Sequence, residues 1–117
     1  MKSLTDKNGD RNSPEFLTKN QDVPFVLCMK YPLEKGYTFA NLSQRDTRDF
    51  QRFLDKIAKM SVNQVDHAFG KKPDRDDLYM DKHVFHYGVT DSFRLHVVFD
   101  SGCYAIVRLD PNHKFHS

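Results

Sequence analysis

From Phe93 to Asp100 the chain alternates between mostly apolar and mostly polar positions, and a two-residue break, Ser101-Gly102, separates this run from Cys103 to Leu109. A period of two sends successive side chains to opposite faces of a strand. A two-residue loop containing Gly closes a tight β-hairpin. The hairpin is therefore expected to pair Asp100 with Cys103, Phe99 with Tyr104, Val97 with Ile106 and Leu95 with Arg108. One face then carries Phe93, Leu95, Val97, Phe99, Tyr104 and Ile106. The other carries Arg94, His96, Val98 and Asp100, opposed by Leu109, Val107, Ala105 and Cys103. Its half-polar character suits a surface that meets water or a ligand. A slip of one residue would exchange the two sets.

The apolar face needs a partner, and the sequence supplies one upstream. Phe50, Phe53, Leu54, Ile57 and Ala58 recur at helical spacing, with Arg45, Arg48, Arg52, Asp55 and Lys59 on the other side. Ser43 reads as the N-cap of this helix, about 44–60, with Asp46 at its third position. Ser61-Val62-Asn63-Gln64 has the form of a capping box and starts a short second helix, stopped by Gly70. Before the helices, 23–31 and 37–42 read as a first hairpin around Pro32 and Gly36. Residues 71–82 are charged, contain Pro73, and read as a loop. Three strands follow, about 83–89, 93–100 and 103–109. The order β-β-α-α-β-β-β defines an α+β domain with a mostly antiparallel sheet and two helices on one face. Residues 1–22 are polar and aperiodic and read as a flexible tail, leaving 23–117 as a single domain.

Ten Phe in 117 residues supply one core, so wholesale disorder is excluded. The net charge of +2 neither demands nor excludes a nucleic-acid partner. No stretch has the form of a secretory leader or approaches a membrane span of roughly 20 apolar residues. The two cysteines, Cys28 and Cys103, then read as reduced thiols in a cytoplasmic protein, each packed as a small apolar side chain. A disulfide stapling their two strands is the other arrangement open to them.

Arg94, His96, Arg108, His113 and Lys114 gather on and just beyond the last hairpin. Arg and Lys hold phosphates and developing negative charge, and His moves protons near neutral pH. Metal-free RNA cleavage needs those abilities together, whereas a solvated sheet face needs only the polarity. His83 and His86 are three apart, which on a strand points them to opposite faces, and no carboxylate or Cys completes a metal set by spacing. No Gly-rich phosphate loop or Ser nucleophile motif is present, so no cofactor and no metal are expected.

The run Phe93-Arg94-Leu95-His96-Val97-Val98-Phe99, the turn, Tyr104 to Leu109, and Asn112-His113-Lys114 resemble the C-terminal half of the RelE/ParE toxin superfamily. The likeness spans about 43–116. It implies an RNA-cleaving toxin acting on mRNA at the ribosome, or a gyrase-directed one, held by an antitoxin. Under it Arg94, His96 and His113 are catalytic, and Lys114, Arg108 and His86 bind the substrate. The ending Leu109-Asp110-Pro111-Asn112-His113-Lys114 is also similar to small bacterial and phage proteins of no settled activity. The alternative function is a non-catalytic phage- or plasmid-borne binding module, an inhibitor or adaptor. It would use residues 71–82, the tail or an exposed sheet edge, as a monomer or homodimer.

Overall fold

The computed structural model describes residues 23–70 and 72–115, so the expected tail, 1–22, lies outside the described residues. The architecture is α+β, with two α-helices and a five-stranded, mostly antiparallel sheet among the described residues. The longer helix, α1 (Gln44–Ile57), starts where Ser43 accepts from the Asp46 amide and the Asp46 carboxylate accepts from the Ser43 amide, at 3.0 and 2.9 Å. These reciprocal bonds satisfy two amides that no helical carbonyl can reach. Ser61 and Gln64 repeat the device at the start of α2 (Val62–Ala68).

The sheet contains β1 (Leu27–Cys28), β2 (Lys72–Tyr79), β3 (Lys82–Gly88), β4 (Arg94–Asp100) and β5 (Cys103–Asp110), in the spatial order β1-β5-β4-β3-β2. Only β1 runs parallel to its neighbour, with Leu27 opposite Tyr104 and Cys28 opposite Ala105. The helices cover one face. Phe50, Phe53, Ile57 and Val65 meet Tyr87, Phe93, Leu95, Val97, Tyr104, Ile106 and Leu109 there. Burial of each such side chain contributes about 1.5–3 kcal/mol, so this layer dominates stability. Phe99, expected in the layer, is partly exposed.

Two segments differ from the sequence reading. The first hairpin does not form. Only Leu27–Cys28 extends as a strand, and it pairs with β5, while Phe39–Asn41 is a turn of 3-10 helix capped by Thr38. Pro24, Pro32 and the left-handed Gly36, at φ +90°, make this segment a poor strand partner for itself but suit it to a sheet edge. The charged segment expected as a loop contains the edge strand β2. Its charges and Pro73 hid it, because an edge strand is guarded by such residues rather than by alternating apolar ones.

The second face is also not open. Val84, Val98, Ala105 and Val107 are fully buried, with Cys28, Tyr31 and Tyr79 packed against them. Cys28 and Cys103 form a disulfide, with their Cα atoms 6.4 Å apart, which corrects the expectation of two thiols. The pairing needs β1 beside β5, a contact that local sequence does not announce.

Both tight hairpins turn through two left-handed residues, Ser101-Gly102 at φ +54° and +85° and Met80-Asp81 at φ +51° and +65°. The first has Gly where the conformation favours it. The second has no Gly, and side chains with a Cβ are strained there. Changing Met80-Asp81 to Asn-Gly is expected to raise stability by about 1 kcal/mol, read as a higher denaturant midpoint at unchanged slope.

Candidate functional site

The chemistry-bearing side chains converge because β5 carries an extra residue. Val97 opposes Ile106, but His96 opposes Arg108, so Val107 has no counterpart on β4. A single bulged residue reverses the alternation beyond it. Leu109 therefore opposes Leu95 in the core, and Arg108 joins His96 on the second face. This corrects the expected Leu95–Arg108 pair. The bulge is anchored from outside by the segment after β1, where the Glu34 amide donates to the Val107 carbonyl at 3.0 Å and the Leu109 amide to the Tyr37 carbonyl at 2.9 Å. His86 opposes His96 from β3, so three strands align His86, His96 and Arg108.

β2 completes the cluster through a larger irregularity. Asp74 opposes Val84 and Leu78 opposes His83, which leaves residues 75–77 outside the ladder. From there Asp77 takes a bidentate grip on Arg108, with Nη1 donating to Oδ2 at 2.8 Å and Nη2 to Oδ1 at 2.9 Å. Arg108 Nε donates to Glu34 Oε1 at 2.8 Å. Arg108 Nη1 also lies 3.2 Å from His96 Nδ1. A guanidinium only donates, so that nitrogen accepts and the neutral ring carries its proton on Nε2, 4.0 Å from Asp110 Oδ2. His86 Nε2 lies 3.1 Å from Asp77 Oδ2, and the two imidazoles stack at 3.9 Å with planes 9° apart. The Phe115 ring covers Arg108 at 3.7 Å from Cζ. It is held there because the Asp110 carboxylate accepts from the Lys114 and Phe115 amides, at 2.8 and 2.9 Å.

The cluster is dry. The side chains of Asp77 and Arg108 are 3% exposed and that of His96 is 0%, while Glu34, at 37%, forms the wet end. Of the expected site residues, His86, His96 and Arg108 meet in it. The other three sit at the neighbouring end of the sheet. Arg94 opposes Asp110, and its guanidinium donates to the Thr90 carbonyl, closing the β3–β4 turn. His113 is exposed on the C-terminal turn at φ +52°, its amide 3.3 Å from the Asp110 carbonyl, and Lys114 is exposed beside it. Sequence reasoning missed Asp77, Glu34, Asp110 and Phe115 as partners in the cluster. Asp110 precedes Pro111 and Asn112, a run with turn chemistry, whereas Glu34 carries no signal of its own.

Asp77, His86 and His96 bring potential ligand atoms within 4.8 Å of one another. The arrangement does not suit a cation. Arg108 Nη1 already bonds two of the three residues, and both Asp77 oxygens accept from the guanidinium. A divalent ion would meet a fixed positive charge at contact distance.

Burial alone would raise the Asp77 carboxyl, but hydrogen bonds from Arg108 and His86 outweigh it and hold it below the ordinary value. Asp100 is lowered as well, first by the Tyr31 hydroxyl and then by Lys30. Burial pushes the Tyr104 phenol up to about 12 and raises Tyr87, whose hydroxyl donates to Asp66 at 2.6 Å. A lowered carboxyl contributes stability that is present above its unfolded value and lost as pH falls through the folded one. A raised phenol contributes stability that is present below its unfolded value and lost as pH rises toward the folded one. Thermal melts are therefore expected to decline below about pH 4 and again above about pH 10. Loss of either flank would contradict the assigned contacts.

The fold and cluster define an α+β domain whose central polar group is closed upon itself. The chain matches no family model, no curated protein and no solved structure.

Proposed function

We propose that this chain is a non-catalytic protein-binding module that engages its partner through the β2 edge and the β2–β3 tip. The observation that carries this reading is where the reactive and the sticky groups lie. His86, His96 and Arg108 bond or stack on one another and on Asp77 under a cover of Phe115. A general acid or base must reach its substrate, and His96 has no exposed surface. Leu78 and Met80, by contrast, are 52% and 65% exposed at the end of β2 and the adjoining turn. Exposed apolar side chains at a strand edge suit pairing with another chain. The test is affinity capture from the native host with the wild-type chain and with Leu78→Lys/Met80→Lys, compared by quantitative mass spectrometry. One partner, recovered near one to one and lost with the variant, is expected. Identical recoveries would overturn the reading.

A RelE/ParE-like toxin is the second reading, and one observation favours it. Arg94 opposes Asp110, and His113 folds back on the same residue, so a strand Arg and a terminal His share one end of the sheet beside Lys114. On this reading the protein is cytoplasmic, acts on mRNA and is restrained by an antitoxin. The disulfide pulls the other way, since such bonds persist mainly in oxidising compartments. Expression should arrest growth, and Arg94→Ala or His113→Ala should relieve the arrest in folded protein. Normal growth with intact mRNA would end this reading.

A further inference from the structure

We infer that the Cys28–Cys103 disulfide is a redox latch, whose reduction opens one edge of the sheet locally while the rest of the domain stays folded. The segment it holds is pinned at both ends by other means. Upstream, Val62 donates to the Val23 carbonyl at 2.9 Å and Phe25 to the Met60 carbonyl at 3.1 Å. The Phe25 ring is buried against Tyr104 and Tyr87, at 4.7 and 5.6 Å. Downstream, the Glu34 and Tyr37 backbones bond to β5, and the Glu34 carboxylate bonds to Arg108.

The middle is held more lightly. β1 is two residues long, and Val26 and Met29 are about half exposed. Besides the short β1–β5 ladder and the packing of Leu27 against the core, its ties include the Tyr104 amide to the Val26 carbonyl at 2.8 Å, the contacts of Lys30 and Tyr31 with Asp100, and the Tyr79 hydroxyl to the Pro32 carbonyl at 2.9 Å. Beneath it lie Val84, Val98, Ala105 and Val107, covered by Cys28, Tyr31 and Tyr79. Opening the middle would expose that apolar patch and the outer edge of β5, a surface absent from the oxidised form.

The chemistry balances with a dithiol reductant. One of its thiolates attacks a sulfur of the disulfide, breaks the Cys28–Cys103 bond and forms a mixed disulfide. Its second thiolate then displaces the protein sulfur. Cys28 and Cys103 leave as thiols, having gained two electrons and two protons, and the reductant leaves as its own disulfide. The Asp100 carbonyl, 3.3 Å from Cys103 Sγ, can accept a hydrogen bond from the new Cys103 thiol.

The test is amide hydrogen exchange of the full chain before and after dithiothreitol, with reduction confirmed by alkylation of two thiols. The Tyr104 amide is expected to exchange at least tenfold faster when reduced, with the Phe25, Val62 and Glu34 amides unchanged and protection restored on reoxidation. Cys28→Ala/Cys103→Ala should reproduce the reduced pattern. Unchanged exchange at Tyr104, loss of protection throughout the domain, or a disulfide that resists excess dithiothreitol under native conditions would each overturn the latch.

Discussion

Arg108→Ala is expected to lower the unfolding free energy by about 3–5 kcal/mol, read by denaturant titration at pH 7. Arg108 is the donor on which the cluster depends. Its removal takes both guanidinium donors from the nearly inaccessible Asp77 carboxylate and the Nδ1 donor from His96. Such a loss exceeds that of an exposed ion pair, which is worth about 0–1 kcal/mol. The cost belongs to the buried carboxylate that loses its guanidinium rather than to the pair as a whole. Asp77→Leu combined with Arg108→Met should therefore recover much of the loss, because two apolar side chains need no partners.

Phe53→Ala is expected to cost about 3–5 kcal/mol as well, for a different reason. Phe53 is 2% exposed on α1, with the Phe69 ring 4.8 Å away edge-on and the Phe50 ring 6.2 Å away. Truncation leaves a hole between the helices and the sheet that neighbouring rings cannot fill without leaving their own contacts. The same change at Phe39, which is half exposed, should cost under about 1 kcal/mol. Equal effects at the two positions would mean that the helical layer is not packed as described.

Much of the scaffold was legible because its signals are local. Ser43 with Asp46 and Ser61 with Gln64 announce both helix starts, and Ser101-Gly102 announces the hairpin turn. The face that meets the helices followed from alternation up to Ile106. The site was only half legible, because its geometry depends on departures from alternation. Nothing in Val107-Arg108-Leu109 marks a bulge, yet the extra residue moves Arg108 to the face of His96. Asp77 lies in a charged run that reads as a loop, and only the neighbouring β3 gives it a place. Leu27–Cys28 finds its partner 77 positions away, as Leu27 against Tyr104, which no local pattern encodes. His96, expected to be catalytic, and Arg108 and His86, expected to bind, share a site whose hydrogen bonds turn inward.

Asp77 and Arg108 act as one buried unit that closes the polar cluster. The measurement is a double-mutant cycle on unfolding free energy, using Asp77→Ala, Arg108→Ala and both together. A coupling of about 2 kcal/mol or more is expected, with the double variant more stable than the sum of the single losses implies. Effects that add to within about 0.5 kcal/mol would contradict it.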